Sequence, residues 1–310
     1  MWCSERHLDP LTAPIGRLAD FLLYHFDDLK LGPSSIKGHR SAINSVWRVA
    51  GRQDTESHNL KALLDTFSVD RPRSTVTLPK WDLALVLRVL TKEPYEPIQD
   101  MDFKKLSSKT VFLLLLASAR RRGDIYAIDP QNITYTRTGV VLEPVAKYIP
   151  KARSCAAGEK RYAPISIRSL DSITSEPEEL TLCPVRAIRA YDKIATARVK
   201  NRKRFFISTN HRGSSVCLNT ISAWVVKLIR EAYNQATDTD CKLHQTSVHE
   251  VRALAASMSF QATYSLDNVL SAAQWAQPTT FINHYMRDVS GLQGRVHRIN
   301  PCVIAGTVFH

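Results

Sequence analysis

Residues 106–142 read LSSKTVFLLLLASARRRGDIYAIDPQNITYTRTGVVL, and this stretch decides the fold class. Residues 106–119 are nearly all apolar behind two serines. That marks a helix buried on most of its sides, with Ser107 or Ser108 as its cap. Arg120, Arg121 and Arg122 end it. The period then changes from helical to alternating. Ile133-Thr134-Tyr135, a Thr138-Gly139 turn and Val140-Val141-Leu142 read as a hairpin, and a third strand is expected over 162–167. A buried helix feeding a short antiparallel sheet predicts a mainly α chain with a small β element, an α+β fold.

Helices are expected on both sides of this stretch. Upstream, Ile15, Leu18, Leu22 and Phe26 recur at helical spacing. A second helix is expected from a cap at Ser34 or Ser35 to Gly51, with Ile36, Ile43, Val46, Trp47 and Ala50 as its apolar stripe. Lys37, Arg40 and Arg48 fall off that stripe and form a basic face, either merely solvated or able to track phosphates. Residues 70–79, DRPRSTVTLP, carry two prolines and no helical period and read as a linker. The expected domains are therefore 1–72, helical, and 79–310. A helix should run through Trp81, Leu85 and Val89. Downstream, helices are expected from Pro184, over 219–236 and over 248–260, then two more capped by Ser265 and by Thr279 or Thr280.

Of 310 residues, 42 are Lys or Arg and 29 are acidic, a net charge of +13. That excess favours a polyanionic partner. The six cysteines are scattered with no C-x-x-C pair, which speaks against a zinc ribbon or a disulfide framework and for reduced thiols. The start is polar, and the longest apolar run, 111–117, is far short of the roughly 20 residues that span a bilayer. No membrane association is expected, and no clustered carboxylates stand out for Mg²⁺.

Four places put polar groups where chemistry could use them. Successive helical residues point about 100° apart, so Arg120, Arg121 and Arg122 cannot share one site, and at least one should face inward. A buried arginine needs an anion, which Asp124 or a phosphate could supply. Lys151 falls in the turn region before the third strand. His249 and Arg252, three apart, share a helix face and can converge on one anion. Trp275 and Tyr285 close the set in SAAQWAQPTTFINHYMRDV, residues 271–289. Each taken singly also fits a plain packing or surface role.

Their order resembles the tyrosine recombinase and integrase family: arginine at a helix end, lysine on a hairpin, H-x-x-R, an aromatic, then tyrosine near the C-terminus. LASARRRGDIYAID, LCPVRAIRAY, VHEVRALAAS and AAQWAQPTTFINHYMRDV are most similar to the recombinase domains of DIRS-type retrotransposons, elements of mobile DNA. The resemblance spans roughly residues 14–289. It implies a helical, SAM-like core-binding domain at 1–72 with Lys37, Arg40 and Arg48 as DNA contacts, and a catalytic domain at 79–310. Its catalytic residues would be Arg121, Lys151, His249, Arg252, Trp275 and Tyr285. Arg120 and Arg122 compete with Arg121, and Lys147 and Lys160 with Lys151. The tryptophan-to-tyrosine gap is ten residues, where many bacterial members have nine.

The implied activity is DNA strand exchange, in recombination or integration, through a 3′-phosphotyrosine. Two guanidiniums would fork onto the non-bridging oxygens, which lysine could not copy. A tyrosine is mostly neutral at pH 7 and needs a base, for which His249 is the candidate. Lys151 would protonate the leaving 5′ oxygen, and the Trp275 indole would donate to the phosphate. The resemblance implies no cofactor, no metal and no small-molecule substrate. It implies double-stranded DNA as partner, a homotetramer on two DNA sites, and a nuclear location in a eukaryote or an intracellular one elsewhere. A chain that keeps the fold and binds DNA without chemistry is the alternative.

Overall fold

In the N-terminal unit, Met1–Thr75, amphipathic helices face one another across a small core. They are α1 (Ile15–Asp27), α2 (Pro33–Val49) and α3 (His58–Asp70). Leu18, Leu22, Phe26, Ile36, Trp47, Leu60, Leu64 and Phe67 are its buried side chains. The Phe26 and Phe67 rings stack 4.1 Å apart. A fully buried side chain of this kind contributes about 1.5–3 kcal/mol. The computed structural model describes residues 2–52, 55–72, 78–149, 164–210, 214–236, 246–275 and 277–289.

Two sequence expectations for α2 need correction. The helix begins at Pro33 behind an extended Gly32, not behind Ser34 or Ser35. Proline is preset for the first helical turn, where its missing N–H costs nothing. Val46 is 55% exposed and Ala50 lies past the helix end, while Asn44 takes an inward position beside Trp47.

The second unit, Val76–His310, is organised around α5 (Phe103–Ser118). Residues 111–117 are wholly buried. Around α5 pack α8 (Pro184–Arg198), α9 (Leu218–Gln235) and α10 (Val248–Thr263). The preceding helix α4 (Leu83–Leu90) is capped by Asp82, so Trp81, expected within it, sits just ahead of it, buried. The N-cap of α5 is Asp102, whose carboxylate accepts Lys105 N–H at 3.2 Å. Ser107 and Ser108 are not caps. Their hydroxyls turn back to the carbonyls of Phe103 and Lys104, at 2.6 and 3.0 Å, which a serine inside a helix can do.

Ala119, in the left-handed region at φ 49°, stops α5. The chain then makes the short α6 (Arg122–Tyr126) and enters the sheet, β1 (Ile128–Tyr135), β2 (Gly139–Pro144) and β3 (Ile165–Arg168). The order is β1-β2-β3, antiparallel throughout, with Tyr135 opposite Val140 and Val140 opposite Ile167. Gly139 belongs to β2 and not to the turn. A Cβ there would come within 2.2 Å of the Ile167 carbonyl, so glycine is required by close approach. The first residues expected in the third strand, 162 and 163, lie outside the described residues.

After α7 (Pro177–Thr181) and the helices named above, the unit closes with α11 (Leu266–Ala273) and α12 (Pro278–His284). Ser265 caps α11 through Asn268 N–H, as expected. Helix α12 starts at Pro278 behind Gln277, so Thr279 and Thr280 lie inside it. No helix among the described residues is long and apolar enough to cross a membrane. The fold is mainly helical with one small antiparallel sheet.

Candidate active site

Arg252 is the largest fully buried side chain among the described residues, 1% exposed, in the middle of α10. Its Nη2 donates to the carbonyl of Ala273, the last residue of α11, at 2.7 Å. Its Nε and Nη1 are buried and have no hydrogen-bond partner among the described residues. The guanidinium lies 4.5 Å from the Trp275 ring centroid and 5.5 Å from that of Tyr285. The two rings are 4.8 Å apart. The buried Trp275 indole Nε1 also lacks a partner. Burial pulls the Arg252 side chain below the usual arginine range, to about 9, and the nearby Arg121 charge adds to this. It remains charged at neutral pH.

A buried cation with unmet donors is costly unless an anion completes it. The charges nearby do not supply one in full. Arg121 and Arg120 repel Arg252, and Asp124 is the carboxylate set against these three guanidiniums. The site is thus built with positive charge in excess.

The three consecutive arginines, expected to end α5, lie beyond it: the helix stops at Ser118, Arg120 and Arg121 are outside any helix, and Arg122 begins α6. Arg120 is the inward one, 6% exposed, and reaches the Pro164 carbonyl at 3.5 Å. Arg122 donates to Ser222 on α9 at 2.6 Å. Arg121, partly exposed, is the N-cap of α6, and Asp124 Oδ2 accepts its backbone N–H at 2.9 Å. Asp124, considered from the sequence as a partner for an arginine side chain, thus holds arginine backbone.

Tyr285 ends α12, partly exposed, its N–H bonded to Phe281 O at 2.9 Å. Its carbonyl accepts from Ser257 Oγ on α10 at 3.2 Å, and Ser257 Oγ in turn accepts Arg287 N–H at 2.8 Å. The Arg287 guanidinium forks onto the buried Glu250 carboxylate with two bonds of 3.0 Å. The segment just after Tyr285 is therefore strapped to the helix that carries Arg252. Sequence reading passed over Ser257, Glu250 and Arg287. Their acid–base complementarity was visible, but a separation of 37 residues between Glu250 and Arg287 hid the pairing.

Arg121, Arg252, Trp275 and Tyr285 thus gather at one place. His249 is exposed on the first turn of α10, one turn before Arg252. Lys151 and its competitor Lys160 lie outside the described residues, and Lys147 is exposed just past β2. In the N-terminal unit, Lys37 donates to Ser68 Oγ at 3.0 Å. Arg40 and Arg48 approach Glu56 at 3.9 and 3.3 Å. No three His, Cys, Asp or Glu side chains stand together as metal ligands among the described residues.

No protein-family model matches the chain, and no curated protein matches it. Solved structures do. The chain is similar to XerH site-specific recombinase bound to palindromic difH substrate, with a TM-score of 0.55, 14% identity, and coverage of 88% of this chain and 70% of that one. It is similar to the Tn1549 transposon integrase in complex with transposon right end DNA, at 0.54 and 12% identity over 89% and 82%. It is also similar to lambda integrase bound to DNA, at 0.50 and 16% identity over 92% and 85%. These structural neighbours are tyrosine recombinases or integrases, and at such identities the likeness is one of fold.

Proposed function

We propose that this chain is a DNA strand-exchange enzyme, a tyrosine recombinase whose nucleophile is Tyr285. One observation carries the reading: the buried Arg252, with two unpartnered nitrogens, lies against the rings of Trp275 and Tyr285. Forked guanidinium donors with an adjacent indole N–H match the oxygens of a phosphodiester. Support also comes from the +13 charge and from the DNA carried by the similar solved structures.

In the first step the Tyr285 hydroxyl oxygen attacks the scissile phosphorus. The new O–P bond forms as the bond to the 5′ oxygen breaks. His249 takes the tyrosine proton, and Lys151, outside the described residues, gives one to the 5′ oxygen. Arg121 and Arg252 stabilise charge on the non-bridging oxygens, with Trp275 donating beside them. A second 5′ hydroxyl reverses the step and reseals the strand. The partner is double-stranded DNA, engaged by a homotetramer on two sites, and the chemistry uses no cofactor. The finer kinship proposed is with recombinases of DIRS-type mobile elements.

The test is a library of nicked duplexes from which the short downstream fragment diffuses once the strand is cut. The unaltered chain should form a covalent adduct, with the modified residue mapping to Tyr285, and Tyr285→Phe should form none. DNA binding by both proteins with an adduct from neither would leave a DNA-binding protein without chemistry.

A further inference from the structure

We propose that Tyr148 is a positioning residue for Arg121, acting through Asp124, a role that rests on the strand-exchange reading. The Tyr148 hydroxyl donates to Asp124 Oδ1 at 2.8 Å. The other carboxylate oxygen accepts the Arg121 N–H at 2.9 Å. Asp124, only 3% exposed, is thus a bridge between the segment just after β2 and the turn that presents Arg121. Arg121 is extended, at φ −74° and ψ 152°, between the left-handed Ala119 and a helix of five residues.

Two further observations place the phenol at the arginines. A Cβ on Gly123 would lie 3.2 Å from the Tyr148 hydroxyl, so the ring tip reaches the backbone of α6. The charges of Arg121 and Arg120 both act on the phenol, while burial, and then Asp124, hold it well above the usual tyrosine range. It therefore stays a donor at every working pH.

With one oxygen on the Arg121 backbone and the other on the Tyr148 hydroxyl, the Asp124 carboxylate is fixed in place, and its charge acts on Arg252 from that point.

Tyr148→Phe removes the hydroxyl alone. Its single-turnover adduct formation is measured at saturating DNA on a nicked duplex recovered from the library. It is repeated on the same duplex with an uncharged methylphosphonate at the cut site. Loss of one charge-assisted hydrogen bond should slow the phosphodiester reaction about tenfold. The methylphosphonate reaction should slow less than about threefold, because a guanidinium is worth little against a linkage without charge. DNA affinity and adduct amplitude should not change. Equal slowing on both substrates, no slowing on either, or a loss of amplitude at unchanged rate would each overturn the positioning role and leave strand exchange standing. No adduct from the unaltered chain on any duplex would overturn both.

Discussion

Lys109 and Arg252 are both buried cations on long helices of the same unit, and they are buried in opposite ways. Lys109, in the middle of α5, is fully enclosed and donates to the carbonyls of Leu90 and Tyr95 and to the Glu96 carboxylate. Arg186 forks onto the same carboxylate from α8, at 2.7 and 2.8 Å. Burial pulls Lys109 below the usual lysine range, and Glu96 opposes that pull. Every donor of Lys109 has an acceptor. Among the described residues Arg252 has one acceptor, two unpartnered nitrogens and cationic neighbours. A satisfied buried charge belongs to the fold. An unsatisfied one among like charges marks a place prepared for something else.

The comparison predicts opposite responses to the same kind of substitution. Arg252→Met should slow adduct formation by roughly 100–1,000-fold, the usual loss for one transition-state donor. It should leave the melting temperature of the free chain unchanged or raised, because it removes an unpaired buried charge. Lys109→Met should destabilise by about 3–5 kcal/mol, because Glu96 loses an enclosed partner. Chemical denaturation of the two variants checks both signs. A large stability loss at Arg252 would break the contrast.

Sulfate gives a smaller effect. At about ten times its dissociation constant it should raise the melting temperature by about 2–4 °C through binding to the native state. Arg252→Met should abolish that rise. An equal rise in the variant would place sulfate elsewhere.

The smallest effect extends the comparison to the N-terminal unit. There His25 and His39 face each other, Nδ1 to Nδ1 at 2.7 Å, with the Phe21 ring 4.1 Å from His25. Burial, and then His39, hold His25 below its ordinary value of 6.5. The unfolded chain then takes up more protons than the folded one, so stability falls as pH drops through about 6.5 and below. Amide exchange in α1 and α2, corrected for intrinsic rates, should quicken between pH 7.5 and pH 5.5. His39→Asn should flatten the dependence, and protection independent of pH would refute it.

Much of the fold was legible because its signals are local. The run before Arg120 marks α5, the alternation at 133–142 marks the hairpin, and Ser265 marks α11. The errors share a cause. Helices α2 and α12 begin at Pro33 and Pro278, yet the neighbouring serines and threonines looked like better caps. Ser107 and Ser108 satisfied themselves within the helix instead. The inward turn of Arg120 was foreseen only as one of three choices, because the chain leaves α5 before it and its direction is settled by distant residues such as Pro164. Val46 was misplaced because rotation about a helix axis is settled by what packs against it. At the site, the H-x-x-R spacing of His249 and Arg252 and the order of Trp275 and Tyr285 could be read. The Arg287–Glu250 strap and the Tyr148–Asp124 bond could not, since each joins residues far apart in the chain.

Sequence alone determined the class of this protein: a basic, mainly helical chain with a small sheet and an ordered set of phosphate-handling residue types. Hydrophobic period, capping and charge excess are properties of short stretches or of composition. Tertiary structure alone decided which guanidinium is buried with two nitrogens unpartnered among the described residues, and which rings lie against it. It also decided which carboxylate is withdrawn onto backbone. Those outcomes depend on desolvation and on hydrogen bonds between distant elements, and both arise only when α10, α11 and α12 come together and α6 docks on α5 and α9.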